Sequence, residues 1–276
     1  MYDWGDIMDN FILDEACDKQ IKDVINSIDD VCIFIDYDNL FHTMKRYAID
    51  VTSPEYNICS YFNTRYGLDK IRSFRAYADF DQVNVQLRKL QEERVQIRNV
   101  YGNNREDKYR KNASDIELSI DVIESTYKNE SVDTYVIVTS DSDMIPIMSR
   151  LKYKKKKIHL YYTSQNTSQT VKFNSFCDFS CDLLKLFCID INKGKPEYWF
   201  DKVKNIISDW YKNPQNLNKS YGFSWLKKDI AEKCNLSEQY ASEIINLMID
   251  NGMVEGISNG NYITIKIKNV DKKRIQ

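Results

Sequence analysis

Histidine is scarce. The 276 residues hold two, His42 and His159, and neither lies near a cysteine pair or in an acid–base arrangement. That argues against a zinc centre and against catalysis built on imidazole. The seven cysteines (Cys17, Cys32, Cys59, Cys177, Cys181, Cys188 and Cys234) form no CxxC pair. Most lie in apolar stretches and read as reduced core residues of a cytosolic protein. No apolar run reaches the ~18 residues of a membrane span, and no signal peptide precedes the first acidic segment. The expectation is a cytoplasmic chain with no membrane partner. No GxGxxG follows the first predicted strand, which disfavours a dinucleotide enzyme.

The chain has enough apolar sequence for a core, 42% hydrophobic against 29% charged, and enough length for one large domain plus a small one. The net charge of −2 hides an asymmetry. Residues 1–30 carry nine acids and two lysines (−7), which leaves 37 basic and 32 acidic side chains (+5) in the other 246. Strong non-specific DNA binders are more basic than this, so nucleic-acid contact is expected to be local and salt-sensitive. Residues 9–28 read as a helix with an apolar stripe, a docked edge helix in preference to an acidic lid over a basic groove.

From residue 31 strands and helices alternate. Strands are expected at 31–36, 71–78, 95–101, 134–139 and 157–162. Helices are expected at 39–49, 55–66, 81–93, from 112 or 114 to about 128, 144–151 and 180–188. Residues 104–112 and 163–169 read as loops. This alternation predicts an α/β domain over 31–190, a mainly parallel sheet with helices on both faces. Asn192-Lys-Gly-Lys-Pro196 marks a boundary. Beyond it, over 196–270, three amphipathic helices and a β-hairpin make a winged-helix pattern.

Acidic residues mark the ends of strands or the starts of helices: Asp36 and Asp38 in VCIFIDYDNL, Asp115 and Asp121 in KNASDIELSIDVI, Asp141 and Asp143 in YVIVTSDSDMIPI. The carboxyl ends of parallel strands form the ligand crevice of an open α/β sheet. Carboxylates converging there repel one another, and a hard divalent cation such as Mg²⁺ or Mn²⁺ is the usual remedy. Each motif has a plainer reading as a helix cap or a dipole partner; together they favour a metal site. Six helical residues advance about 600°, so Asp115 and Asp121 lie ~120° apart and do not face one ion together. Asp115 reaches the site from a first turn, whereas Asp121 orients a ligand or water. Asn39 is placed to hold the loop or a carboxylate. Asp38 is given no firm role and reads as solvent-facing.

Phe34-Ile-Asp-Tyr-Asp-Asn39, Lys111-Asn-Ala-Ser-Asp115 with Asp121, and Val138-Thr-Ser-Asp-Ser-Asp143-Met-Ile-Pro resemble, in order and spacing over residues 31–187, the NYN domain of the PIN-like nuclease superfamily. The segment Phe176-Cys-Asp178-Phe with Leu183 is similar to that domain's closing part. Ser140 departs from the Gly that many members carry, and the position of Asp38 varies. The resemblance implies a metal-dependent ribonuclease. Its acidic site would be Asp36, Asp115, Asp141 and Asp143, with Asn39, Asp121 and Ser140 supporting. One or two Mg²⁺ or Mn²⁺ ions would sit on Asp36, Asp115 and Asp141, giving 5′-phosphate and 3′-hydroxyl products. Lys108, Tyr109, Arg110 and Lys111 adjoin the acidic site and combine charge with stacking, so they are expected to hold the RNA, with DNA left open as a substrate.

The third helix of the C-terminal module, 237–250, has no Lys or Arg, which weakens major-groove reading and favours a protein partner or self-association there. Two rival functions remain open at this point. Asp36-x-Asp38 after a strand also suits a haloacid-dehalogenase-like phosphatase. A nucleic-acid-binding or scaffold protein with a silent acidic site is the other.

Overall fold

The computed structural model describes residues 11–81, 83, 86–100, 113–164, 175–217, 219–259 and 262–267. Two runs of apolar and β-branched residues, β1 (Val31–Asp36) and β4 (Thr134–Val138), are buried along their whole length. Strands covered on both faces are the central strands of a parallel sheet. Around them stand β2 (Ile71–Ala78), β3 (Gln96–Asn99), β5 (Lys157–Tyr162) and β6 (Phe179–Asp182). All pair in parallel, in the order β3-β2-β1-β4-β5-β6. Ile33 of β1 lies between Phe74 of β2 and Val136 of β4.

Helices cover the sheet: α1 (Glu15–Ile25), α2 (Tyr37–Arg46), α3 (Ile58–Tyr66), α4 (Leu87–Glu92), α5 (Ala113–Lys128), α6 (Ile145–Tyr153) and the one-turn α7 (Leu183–Leu186). The N-terminal helix is shorter than the expected 9–28. Asp14 starts it by accepting the Cys17 amide at 2.8 Å. Its Ile21 and Ile25 are buried, as is Ile28 just beyond its end. Asp18 takes a two-pronged bond from Arg65 of α3, 2.6 Å on each oxygen, and Tyr61 adds a third at 3.1 Å. The segment is therefore a docked edge helix.

Three expectations need correction. Residues 180–188 are not one helix: Phe179–Asp182 is the sixth strand, and only Leu183–Leu186 is helical. Asp178 seats this strand beside β5, donating its amide to Ile158 O (2.9 Å) and accepting the Ile158 amide on its carboxylate (2.8 Å). Asp182 then caps the turn by accepting the Leu184 amide. Of the helix expected at 81–93, Leu87–Glu92 is helical, with 82, 84 and 85 outside the described residues; of the strand expected at 95–101, Gln96–Asn99 is strand, with 101 outside them. The loop expected at 104–112, and 165–169 of the loop expected at 163–169, lie outside the described residues.

The chain divides into two units, Met1–Met44 with Asp50–Ile189, and Lys45–Ile49 with Asp190–Gln276. The second contains α8 (Phe200–Lys212), α9 (Phe223–Cys234), α10 (Glu238–Asp250) and an antiparallel hairpin of β7 (Val254–Asn259) and β8 (Tyr262–Ile267). Its core gathers Val203, Ile207, Leu226, Ile230, Ile244, Ile245 and Ile265. Asn235 takes the left-handed conformation (φ 55°) that ends α9, a conformation asparagine tolerates better than most residues. Ser237 then opens α10 by accepting the Tyr240 amide.

Candidate active site at the carboxyl edge of the sheet

In the order 3-2-1-4-5-6 the direction of winding reverses between β1 and β4. The carboxyl ends of those two strands border the crevice where doubly wound sheets bind ligands. Asp36 is the last residue of β1, and Thr139-Ser140-Asp141 follow the last residue of β4.

Asp36 is 2% exposed. Its Oδ1 accepts the Asn39 amide at 3.1 Å and its Oδ2 accepts the Thr139 hydroxyl at 2.9 Å. The Thr139 Oγ1 in turn accepts the Asp141 amide at 3.0 Å. One hydroxyl thus ties the ends of the two central strands together. Asn39 adds a second tie, its side-chain oxygen accepting the Ser140 amide at 3.1 Å. Ser140 Oγ shares a hydrogen bond with Thr163 Oγ1 at 2.6 Å and accepts the Thr163 amide at 2.9 Å, which links this loop to the end of β5. Asp141 caps a short 3₁₀ turn, Ser142–Met144, accepting the Asp143 amide at 2.9 Å. Asp143 is solvent-exposed and Asp115 is half-buried in the first turn of α5.

Burial pushes Asp36 up to about 7, and the charge of Asp115 pushes in the same direction. Asp115 rises to about 6, first from burial and then from Asp141, Asp143 and Asp38. The described charged groups that act on Asp115 are all acidic. Asp38 is half-buried rather than solvent-facing. Its carboxylate accepts the Asp79 amide at 3.2 Å and a hydrogen bond from Ser114, while burial raises its pKa. Desolvated carboxylates sharing one repulsive field bind a cation more readily than solvated ones.

Among the described residues, no group of three His, Cys, Asp or Glu side chains is gathered tightly enough to hold a metal ion as placed. The donors are nonetheless of the right kind, since carboxylate oxygens suit hard Mg²⁺ or Mn²⁺.

Asp121 stands apart from this cluster. Its Oδ2 accepts the Tyr77 hydroxyl at 2.6 Å and is paired with Arg75 at 2.9 Å and Arg98 at 3.3 Å. It ties α5 to β2 and β3, in keeping with the ~120° that separates it from Asp115 around the helix. Lys108, Tyr109, Arg110 and Lys111 lie outside the described residues. His159 is buried, bonded through Nδ1 to the Tyr66 hydroxyl at 2.9 Å. Sequence reasoning missed Thr139, Thr163 and Asp79. The signal for Thr139 was present, a hydroxyl residue closing a buried strand next to Ser-Asp. Asp79 carried the same signal as the other acids, standing directly after an expected strand, whereas the pairing of Thr163 with Ser140 depends on sheet order.

No curated protein matches the chain. A crystallised protein of unknown function from Vibrio parahaemolyticus shares 19% identity over 56% of this chain and 93% of its own, with a TM-score of 0.40. Residues 30–182 match the model of the NYN domain, more than half of the chain, and the chain belongs to the NYN domain family.

Proposed function

We propose that the chain is a divalent-metal-dependent ribonuclease that hydrolyses phosphodiester bonds, with its active centre on Asp36, Asp115, Asp141 and Asp143. Membership of the NYN family supports a nuclease-type function. The observation that carries the finer reading is the pair Asp36 and Asp115, two carboxylates held well above their ordinary range at the topological switch point. Asp36, Asp115 and Asp141 would hold Mg²⁺ or Mn²⁺, with Asp143 close behind. A divalent cation bound there stabilises charge on the phosphate oxygens and makes a neighbouring water easier to deprotonate.

The chain's own residues supply the rest. Asn39 and Thr139 fix both oxygens of Asp36, so that carboxylate meets its ligand without reorganising. Thr139 and Ser140 hold the loop that presents Asp141. Asp121 supports through α5, by fixing the helix that carries Asp115. In this reading Lys108, Tyr109, Arg110 and Lys111 hold the RNA, and the C-terminal unit is a winged-helix-like module for targeting or assembly. With no Lys or Arg in Glu238–Asp250, that module fits a protein partner better than the major groove.

The test is incubation of the full chain with labelled single-stranded RNA, duplex RNA and DNA, with Mn²⁺ or with excess chelator, followed by end-group analysis. Cleavage of RNA to 5′-phosphate and 3′-hydroxyl ends is expected only with the cation. Asp141→Asn is expected to fold normally and to cut nothing. Undiminished cleavage in chelator, or by that variant, overturns the mechanism.

A further inference from the structure

Helix α5 is apolar on two opposite faces. Leu118 and Val122 face the sheet and are fully buried. On the other side Ile116, Ile120 and Tyr127 are 58%, 50% and 65% exposed, with Ile123 half-buried between them. A surface helix keeps its outer face polar, and one that is apolar all round is normally covered. The outer residues stand at intervals of four, three and four, the spacing of a helix-pairing seam. Tyr153, at the carboxyl end of α6, is also almost wholly exposed. Large apolar side chains grouped in this way mark an interaction site, whereas scattered ones do not.

Among the described residues the ends of the seam differ in charge. Asp115 and Glu117 flank Ile116 at the amino end. At the carboxyl end Lys128 is paired with Glu124 one turn back, and Lys154 adds a second base, its ammonium 3.6 Å from the centre of the Tyr127 ring. A parallel partner would set acid against acid and base against base. An antiparallel copy of the same helix sets each end against its opposite and opposes the two helix dipoles. Self-complementarity of this kind is what a two-fold symmetric interface requires.

We propose that α5 pairs antiparallel with α5 of a second copy of this chain, making the protein a two-fold homodimer through its NYN domain. The seam begins at Ile116, next to Asp115. In the dimer the lysine-bearing end of one protomer therefore lies toward the acidic cluster of the other. The interface is independent of whether the acidic site cuts RNA, so a failed nuclease assay and a failed dimer are separate results.

The test is sedimentation equilibrium of the full chain over roughly 1 to 100 µM, the range in which a modest specific interface is populated. Twice the chain mass is expected. Ile120→Glu is expected to weaken the dimer by at least about a hundredfold, because each dimer loses two packed isoleucines and takes in two unpaired carboxylates. Its fold should be intact by circular dichroism, since Ile120 is already half-exposed. Trp225→Glu, at the 73% exposed tryptophan of the C-terminal unit, is expected to leave the dimer unchanged. A monomer throughout, a dimer indifferent to Ile120→Glu, or one broken by Trp225→Glu each overturns the proposal.

Discussion

Thr139 does two jobs with one oxygen, donating to Asp36 and accepting from the Asp141 amide. Thr139→Val keeps the β-branched shape that a buried strand end prefers but removes both bonds. The first is a bond to a buried carboxylate and the second to a half-buried amide, and leaving a buried partner unsatisfied costs about 1–3 kcal/mol. Cleavage is therefore expected to fall by roughly ten- to a hundredfold, with weaker Mn²⁺ binding by titration calorimetry. Thr139→Ser should stay close to wild type. A valine variant with full activity would remove Thr139 from the site. Asp115 makes a second residue-scale case. Its raised pKa means that the folded chain resists its ionisation, so at neutral pH without metal the charge is destabilising. Asp115→Asn in chelator should raise stability. After discounting for its partial exposure the gain is about 1 kcal/mol, or roughly 2–4 °C in melting temperature. Calorimetry in chelator reads the shift, and no change or a loss would mean that the acidic cluster is not strained.

At the scale of the element, the buried strands were legible to within a residue, the edge strand β3 was legible in outline and the other edge, β6, was not. β1 and β4 are continuous apolar runs whose only structural reading is a two-sided core, and their bounds match expectation almost to the residue. β6 was hidden because FSCD offers no periodicity and runs directly into Leu183-Leu184, which reads as helix. What makes it a strand is Asp178 gripping Ile158 from a distance in sequence. β5 carries a prediction of its own. His159 is buried beside Tyr66, and burial lowers its pKa to about 4. The unfolded chain then binds a proton below its ordinary 6.5 while the folded chain refuses it. The stability from the neutral ring is full above about 6.5 and is lost as pH falls toward 4, by up to roughly 3 kcal/mol. His159→Phe keeps the ring volume and leaves the Tyr66 hydroxyl bonded to Tyr161 at 3.1 Å. Between pH 7.5 and pH 5, urea midpoints should fall more for wild type than for the variant. Equal falls would show that His159 does not sense pH. Asp36 and Asp115 act in the opposite sense over part of this range, so the difference between the two proteins is the quantity that isolates His159.

For the whole molecule, the site exists because of strand order, which no local motif contains. The acidic residues were readable one by one, but their convergence depends on β1 and β4 being neighbours at the point where the winding reverses. Helical phase, in contrast, is local, which is why the separation of Asp121 from Asp115 could be anticipated from spacing alone. The division into two units sets a final prediction. Asp36, Asp115 and Asp141 all belong to the first unit, and the buried Ile244 belongs to the core of the second. Ile244→Ala removes buried methyl groups and leaves a cavity, at a cost of about 2–5 kcal/mol. That loss should fall on the C-terminal unit, because its core is built from its own residues. Differential scanning calorimetry is expected to show an early transition absent from wild type. At 25 °C, where both units stay folded, cleavage of a short single-stranded RNA should be unchanged. A single cooperative transition shifted as a whole would show that the two units fold as one body.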